Sequence, residues 1–380
     1  MTARRFPLVA ESAEAAALRK DVREFLAVEI ADRPPVKRAE TWTGADPSFS
    51  AKLGARGWLG MTWPKRYGGH ERSALERYVV IEELLAAGAP VAAHWIADRQ
   101  SGPTLLRFGT EAQRSKILPA IARGECFFCI GMSEPDAGSD LAAVRTRAVR
   151  ESGGWRINGT KLWTTNGHLA HYMILLARTD SNAEGRHDGL SQFLVDMKAP
   201  GVTVRPIYAL SGEHEFNEVH FEDALVPEDA LLGQEGEGWK QVMSELAHER
   251  SGPERFLSSF ILMAEMARAA GPGLSDRAAE ALGRLAAHVA VLRAMSRSVA
   301  GQLEQGGDPS LQAVIVKDLG AVLEQEIPEV ARSLTDPALW ADPDFRAVLS
   351  YLTLNSVAFS LRGGAREILR GIIARGLGLR

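Results

Sequence analysis

The chain has 380 residues, 46% of them apolar, with 44 basic against 48 acidic side chains for a formal net charge of −4. That is enough apolar material for one multilayer core or two to three smaller ones, and it argues against disorder. The charge balance gives no long-range attraction for nucleic acid or an anionic membrane, the start "MTARRFPLVAESAEAA" lacks an apolar run of signal-peptide length, and no apolar segment reaches the ~18 residues that span a bilayer; a soluble cytoplasmic protein is expected.

From Glu11 to Arg123 the pattern is mainly helical. Ala15, Leu18, Val22, Phe25 and Leu26 form one stripe at helical spacing. In "SALERYVVIEELLAAG" Leu75, Tyr78, Val79, Ile81, Leu84 and Leu85 form another, with Ser73 as its cap. Between them "RGWLGMTWPKRYGG" predicts a compact connector. The texture changes near Glu125, and short strands are predicted through Leu232: "GWRINGTKLWTTNG" as extended pieces about an Asn-Gly turn, then "YMILLART", "LSQFLVDM" and "EVHFEDALVP". Cys126 and Cys129, the only cysteines, lie in the strand-like "ECFFCIGMS" and are expected to be small core residues; two cysteines make no disulfide scaffold and no four-ligand zinc site. After "LGQEGEGW" helical periodicity returns over 239–270, 276–302 and 311–331, and a last helix is expected near Gly363 and Gly364. Helix, strand, helix is the order, giving an α+β fold with domains over 1–124, 125–232 and 233–380.

Within the strand region Asp136 and Asp140 sit in a turn where carboxylates cap backbone donors, and His168 and His171 find no third ligand at a convincing spacing, so no metal site is expected. The octet "SEPDAGSD" followed at this distance by "GTKLWTTN" is specific. On these segments and the element order, the chain resembles the acyl-CoA dehydrogenase family over nearly its whole length. The resemblance implies an N-terminal helical domain, a β-sandwich or barrel-like middle domain and a C-terminal four-helix bundle, with FAD between the middle domain and the bundle. It implies that Met132 and Ser133 meet the pyrimidine side of the flavin, that Thr165 approaches N5 and that Trp163 packs on the ring. Ile130 and Gly138 fall in the same cofactor-binding segment, and Ser139 falls where the family touches the thioester ligand. Trp163 as a core aromatic, with the hydroxyls satisfying turn backbone, is the plainer alternative.

Dehydrogenation of an acyl thioester requires a carboxylate to remove the α-proton while the β-hydride leaves for the flavin. In the commoner family position for that glutamate this chain has Gly363, which cannot remove a proton. The second family position matches Glu249 in "SELAHERSGPERF". Val242, Leu246, Glu249, Phe256 and Phe260 also recur at intervals of 3, 4 or 7, which places Glu249 on or beside an interior stripe, where desolvation raises a carboxylate towards the range of a general base. Glu245, one turn earlier, remains open on periodicity alone, and Glu367 is a minor candidate. Pro253 lacks the N–H that would bond the Glu249 carbonyl, so a bend is expected there. Arg250 belongs to the same catalytic segment, with interior or interface salt bridges of Glu249 and Arg250 as the alternative, and by the resemblance a backbone N–H near Gly363 would serve the thioester oxyanion.

Two family elements are absent: the Arg-x-x-Phe-Gly segment that reaches the FAD pyrophosphate, for which Arg277 or Arg284 are candidate substitutes, and the later glycine-rich segment, replaced by "DFRAVLSYLTLNS". The resemblance therefore points to an acyl-CoA substrate, electron-transferring flavoprotein as acceptor, and a homodimer, homotetramer or heterotetramer, the last as in paired dehydrogenases of bulky thioesters such as steroid side chains. The readings behind this one are a flavin monooxygenase or nitroalkane-oxidase-like enzyme and a non-catalytic subunit.

Overall fold

The structure, a computed structural model, describes residues 5–379; the side chains of residues 245–249 lie outside the described set. Helices run up to Ala122, eight strands lie between Phe128 and Leu232, and helices resume from Gly238 to Gly376. Contacts gather the chain into two compact units, Met1–Ala45, Arg72–Val91 and Glu249–Arg380 in one, Asp46–Glu71 and Ala92–His248 in the other.

The second unit is built on β1 (Phe128–Gly131), β2 (Arg147–Glu151), β3 (Gly154–Thr165), β4 (Tyr172–Arg178), β5 (Leu190–Asp196), β6 (Val202–Tyr208), β7 (His214–Pro227) and β8 (Leu231–Leu232). They form one sheet in the order β6-β7-β3-β2-β4-β5-β8, with β1 parallel to β4. β2 and β4 share a single register pair, Arg147 with Arg178, so the two halves of the sheet are free to face each other. They close on one core in which Trp155, Ile157 and Phe221 meet Met173, Phe193 and Val195, and the Trp155 and Phe193 rings stand edge to face at 5.1 Å. This is the barrel-like domain that was expected. The unbroken apolar run of β4 is explained by burial on both faces: Met173 and Leu175 enter that core, while Ile174 packs with Ile117, Leu118 and Ile121 of the helix Glu111–Ala122.

The Asn158-Gly159 pair is not a turn. β3 runs through it with a register shift against β7, the Asn158 amide donates to Asp223 at 3.0 Å, and a β-carbon on Gly159 would press on Thr146 at 2.5 Å. Close backbone approach, not chain reversal, is what the glycine supplies. The connector after Ala55 is compact, with Trp58, Leu59, Met61, Trp63 and Tyr67 buried. Both cysteines are buried and free, Cys129 in the inter-sheet core and Cys126 against the helices.

In the first unit, helix Ala13–Glu29 buries the five stripe residues, and Ser73 with Glu76 closes a capping box at the head of helix Ala74–Ala87. On that second helix Ile81 is only half-buried, whereas Glu82 and Glu83 are buried. Arg19 and Arg293 hold Glu82 at 2.8 and 2.7 Å, and Arg23 holds Glu83 at 2.7 Å, so paired charge takes a place that hydrophobic spacing assigned to carbon. Helices Phe260–Ala270, Asp276–Glu304, Ser310–Ser333 and Pro343–Asn355 pack on one another as the bundle. The last of these was not singled out in the sequence; Asp342 caps it through the Phe345 N–H and Pro343 opens it.

One long helix over 239–270 does not form. The segment ends as Gly238–Glu249, passes through a 3₁₀ turn at Pro253–Arg255 and restarts as Phe260–Ala270. Gly252 and Pro253 account for the break, since proline cannot donate to the Glu249 carbonyl and its ring opposes the preceding turn. The bend expected at Pro253 is a full interruption, and Val242 and Phe256, both buried, belong to different elements.

Candidate active site

The loop after β1 is fastened to β3 residue by residue. The Ser133 carbonyl accepts from the Leu162 N–H at 2.8 Å, and the Lys161 ammonium donates to the Met132 carbonyl at 3.1 Å and to Glu134 at 2.8 Å. Glu134 also accepts the N–H groups of Arg145 and Thr146 at 2.6 and 2.9 Å. Lys161 is wholly buried, and burial pushes its ammonium down to about 8 against the pull of Glu134. Burial works to raise Glu134, but the Lys161 charge and the two N–H donors outweigh it and hold the carboxyl below its ordinary value. Neither residue was assigned a role in the sequence reading, although both lie inside the motifs quoted there.

Immediately beyond, β3 loses register with β7 between Lys161 and Thr164, and Trp163 takes the left-handed φ of +59°. A bulky side chain adopts that region only when its surroundings impose it. The result is an indole 56% exposed, edge-on to Phe216 at 5.8 Å. Trp163 is not a core aromatic. Thr165 and Ser133 are half-buried, as is Met132, so the tie between residues 132–134 and 161–162 brings the loop side chains to the strand end that carries Trp163 and Thr165. Gly138 and Ser139 lie in an exposed turn, with open space around Gly138, and Ile130 packs beside Phe128 and Ile174. Asp136 pairs with Arg145, Asp140 with Arg186, His168 stacks on His214 at 3.9 Å, and His171 accepts the Phe127 N–H at 3.0 Å.

In the other unit Glu249 is the last residue of its helix; its side chain, like that of Glu245, lies outside the described residues. The segment that follows is buried and charged, with Arg250, Glu254 and Arg255 each at most 9% exposed. It meets the turn before the helix Arg366–Gly376. A β-carbon on Gly363, at φ +68°, would lie 3.0 Å from the Arg255 guanidinium, and one on Gly364 would lie 3.7 Å from that of Arg250. Arg362 joins the two segments: it donates to the Glu254 carbonyl at 3.1 Å, the Ser258 hydroxyl at 2.6 Å and the Glu324 carboxylate at 2.7 Å, and it lies over the Trp42 ring at 4.5 Å. Arg277 reaches the Ser333 carbonyl and lies near Asp336, Arg284 pairs with Glu326 at 2.8 Å, and Glu367 is exposed in the first turn of its helix.

The sequence models described as "Acyl-CoA dehydrogenase, N-terminal domain" and "Acyl-CoA dehydrogenase, middle domain" match residues 12–125 and 129–224. The chain belongs to the acyl-CoA dehydrogenase family. That family is one of FAD-dependent oxidoreductases, and the helical, β-sheet and helical-bundle order is its fold. Acyl-CoA dehydrogenase FadE34 of Mycobacterium tuberculosis (strain ATCC 25618 / H37Rv) is 34% identical over 94% of this chain, which spans 50% of that relative's length. Among solved structures, the "Tcur3481-Tcur3483 steroid ACAD" superposes with a TM-score of 0.83 at 28% identity, covering 98% of this chain and 99% of the other. The ChsE4-ChsE5 complex from Mycobacterium tuberculosis does so with a TM-score of 0.84 at 29% identity, covering 98% and 99%.

An exposed indole on a strained bulge offers a stacking face to a planar ring, and half-buried Ser133 and Thr165 carry neutral hydroxyls on the two segments tied together there. On these observations the residues present fit the flavin group.

Proposed function

We propose that this chain catalyses FAD-dependent α,β-dehydrogenation of an acyl-CoA thioester to the 2-enoyl-CoA. FAD, when bound, supplies the hydride acceptor at N5. Met132 and Ser133 serve the pyrimidine edge of the ring, Thr165 the N5 side and Trp163 its face, with Ile130, Gly138 and Ser139 completing the cofactor and ligand segment. Glu249 takes the α-proton. Its place at a helix end, ahead of the buried Arg250 to Arg255 segment, supports a desolvated base, and Arg250 positions that segment against the Gly363 turn. The backbone N–H near Gly363 serves the enolate oxygen, which needs no side chain at that position. The single observation that carries the reading is the bulge that turns Trp163 outward at the end of a strand pinned to the "SEPD" loop.

The substrate class we propose is a bulky thioester such as a steroid side chain, and the assembly a homo- or hetero-oligomer with electron-transferring flavoprotein as acceptor. Likeness to a "steroid ACAD" and to the ChsE4-ChsE5 complex supports the first two. The location we propose is the cytoplasm. Among the described residues no helix is long and apolar enough to cross a membrane.

The deciding experiment follows flavin absorbance of the purified protein under anaerobic conditions as short, branched, aromatic and steroid acyl-CoAs are added. Bleaching is expected, and Glu249→Gln should keep bound flavin while slowing bleaching by about 10²–10⁴-fold, the range a positioned base contributes. Unchanged bleaching in the variant would remove Glu249 from the mechanism.

A further inference from the structure

A lysine without access to water sits two residues before the strained tryptophan. Lys161 is fully buried, and a methionine would fill the same space without desolvating a charge. Its ammonium is spent on two acceptors, the Met132 carbonyl and Glu134, and both oxygens of Glu134 are occupied, one by Lys161 and the Thr146 N–H, the other by the Arg145 N–H. Glu134 therefore cannot swing away, and neither can the ammonium it holds.

The consequence falls on one peptide unit. The Met132-Ser133 peptide is planar and trans, so its carbonyl and its N–H point opposite ways. With the carbonyl drawn to the buried ammonium, the Ser133 N–H is aimed away from it. The next carbonyl, that of Ser133, is fixed in turn by the Leu162 N–H, and the Glu134 N–H by the Ala137 carbonyl at 2.8 Å. Two successive peptide units are thus set in orientation, the first by the lysine side chain and the second from both of its ends.

We propose that the Lys161–Glu134 pair is a positioning device that orients the Met132-Ser133 peptide so that the Ser133 N–H is presented as a fixed donor to the pyrimidine edge of the flavin. This rests on the flavin reading above. Lys161 and Glu134 are positioning residues; they act through the peptide and touch no substrate.

A purely structural pair and a positioning pair order the same variants oppositely. In a Glu134→Gln background, Lys161→Met removes the bond to the Met132 carbonyl and Lys161→Gln keeps a neutral donor for it. Burial favours methionine, so thermal melting should rank Met at or above Gln. The dissociation constant for FAD, from titration of flavin-stripped protein, should rank the other way: Gln within about threefold of the unsubstituted protein and Met weaker by tenfold or more, with a matching shift in flavin reduction potential. FAD affinity that follows melting temperature, or a Met variant within twofold of the unsubstituted protein, would overturn the proposal. Should the double variants not melt cooperatively, Lys161→Met is titrated with Glu134 retained, and FAD affinity within twofold of the unsubstituted protein overturns the proposal there. Failure of the unsubstituted protein to bind FAD would sink the flavin reading and the proposal together, which separates it from failure of the pair alone.

Discussion

A β-carbon on Gly363 would lie 3.0 to 3.2 Å from three atoms of the Arg255 guanidinium, at a φ that glycine alone adopts freely. The space in which the family's commoner base would stand is therefore lined by a cation. Gly363→Glu should cost about 1–3 kcal/mol in backbone strain. In a Glu249→Gln background its carboxylate should be captured by Arg255, leaving acyl-CoA-driven bleaching as slow as in the single variant. Recovery to a tenth of the normal rate would show that the position still accepts a base. For Lys161, the folded value of about 8 lies below the ordinary 10.5, so the ammonium and its attraction to Glu134 are present below about pH 8 and fade above it. Glu134→Gln should accordingly destabilise by about 3 kcal/mol near pH 7, as expected on breaking a buried pair, and the deficit should shrink as pH rises to about 9.5. Denaturant unfolding across that range measures it; a deficit constant with pH would count against a charged Lys161.

Among the elements, the Gly238–Glu249 helix and the Gly363 turn carry different halves of the proposed chemistry. Arg362 ties the turn to residues 254–258 and to the Ser310–Ser333 helix through Glu324, whose side chain is wholly buried and also accepts the Ser258 N–H at 2.9 Å. Burial lowers the Arg362 guanidinium from its ordinary value, with Glu324 opposing, and the group stays charged at any working pH. Glu324→Gln should cost about 3 kcal/mol, because it removes the carboxylate that pairs with that cation directly and leaves only the field of Glu254. Thermal or denaturant unfolding would show it, and a near-neutral result would mean that the Trp42 and Phe359 rings together with Glu254 suffice to hold Arg362.

At the scale of the whole molecule, exposed apolar side chains collect on elements of the helical unit that pack together: Leu319 and Val322 on the Ser310–Ser333 helix, Val357 within the 3₁₀ turn Ser356–Ser360 and Leu361 just after it, and Ile368 on the last helix. Such a group suits a subunit interface. Light scattering should give a multiple of the single-chain mass, and Leu319→Glu with Val322→Glu should lower it; a monomer in both cases would place any interface elsewhere.

Much of this was legible in the residues. Ala15, Leu18, Val22, Phe25 and Leu26, the Ser73 cap, the β4 and β5 runs and the two motifs around Ser133 and Trp163 are set by spacing and local chemistry, and the fold order follows from them. What escaped was decided by partners distant in sequence. Glu82 and Glu83 are buried because Arg19, Arg23 and Arg293 reach them, and Asn158-Gly159 stays extended because β7 and Thr146 lie against it. Lys161 is buried because Glu134, 27 residues earlier, receives its charge. The sequence by itself determined the helix, strand, helix order and where the motif residues fall along it, since those depend on periodicity and local capping. Only the tertiary structure decided that Trp163 turns outward and that Arg255 fills the space at Gly363, because burial of charge and left-handed backbone are imposed by contacts that no local window contains.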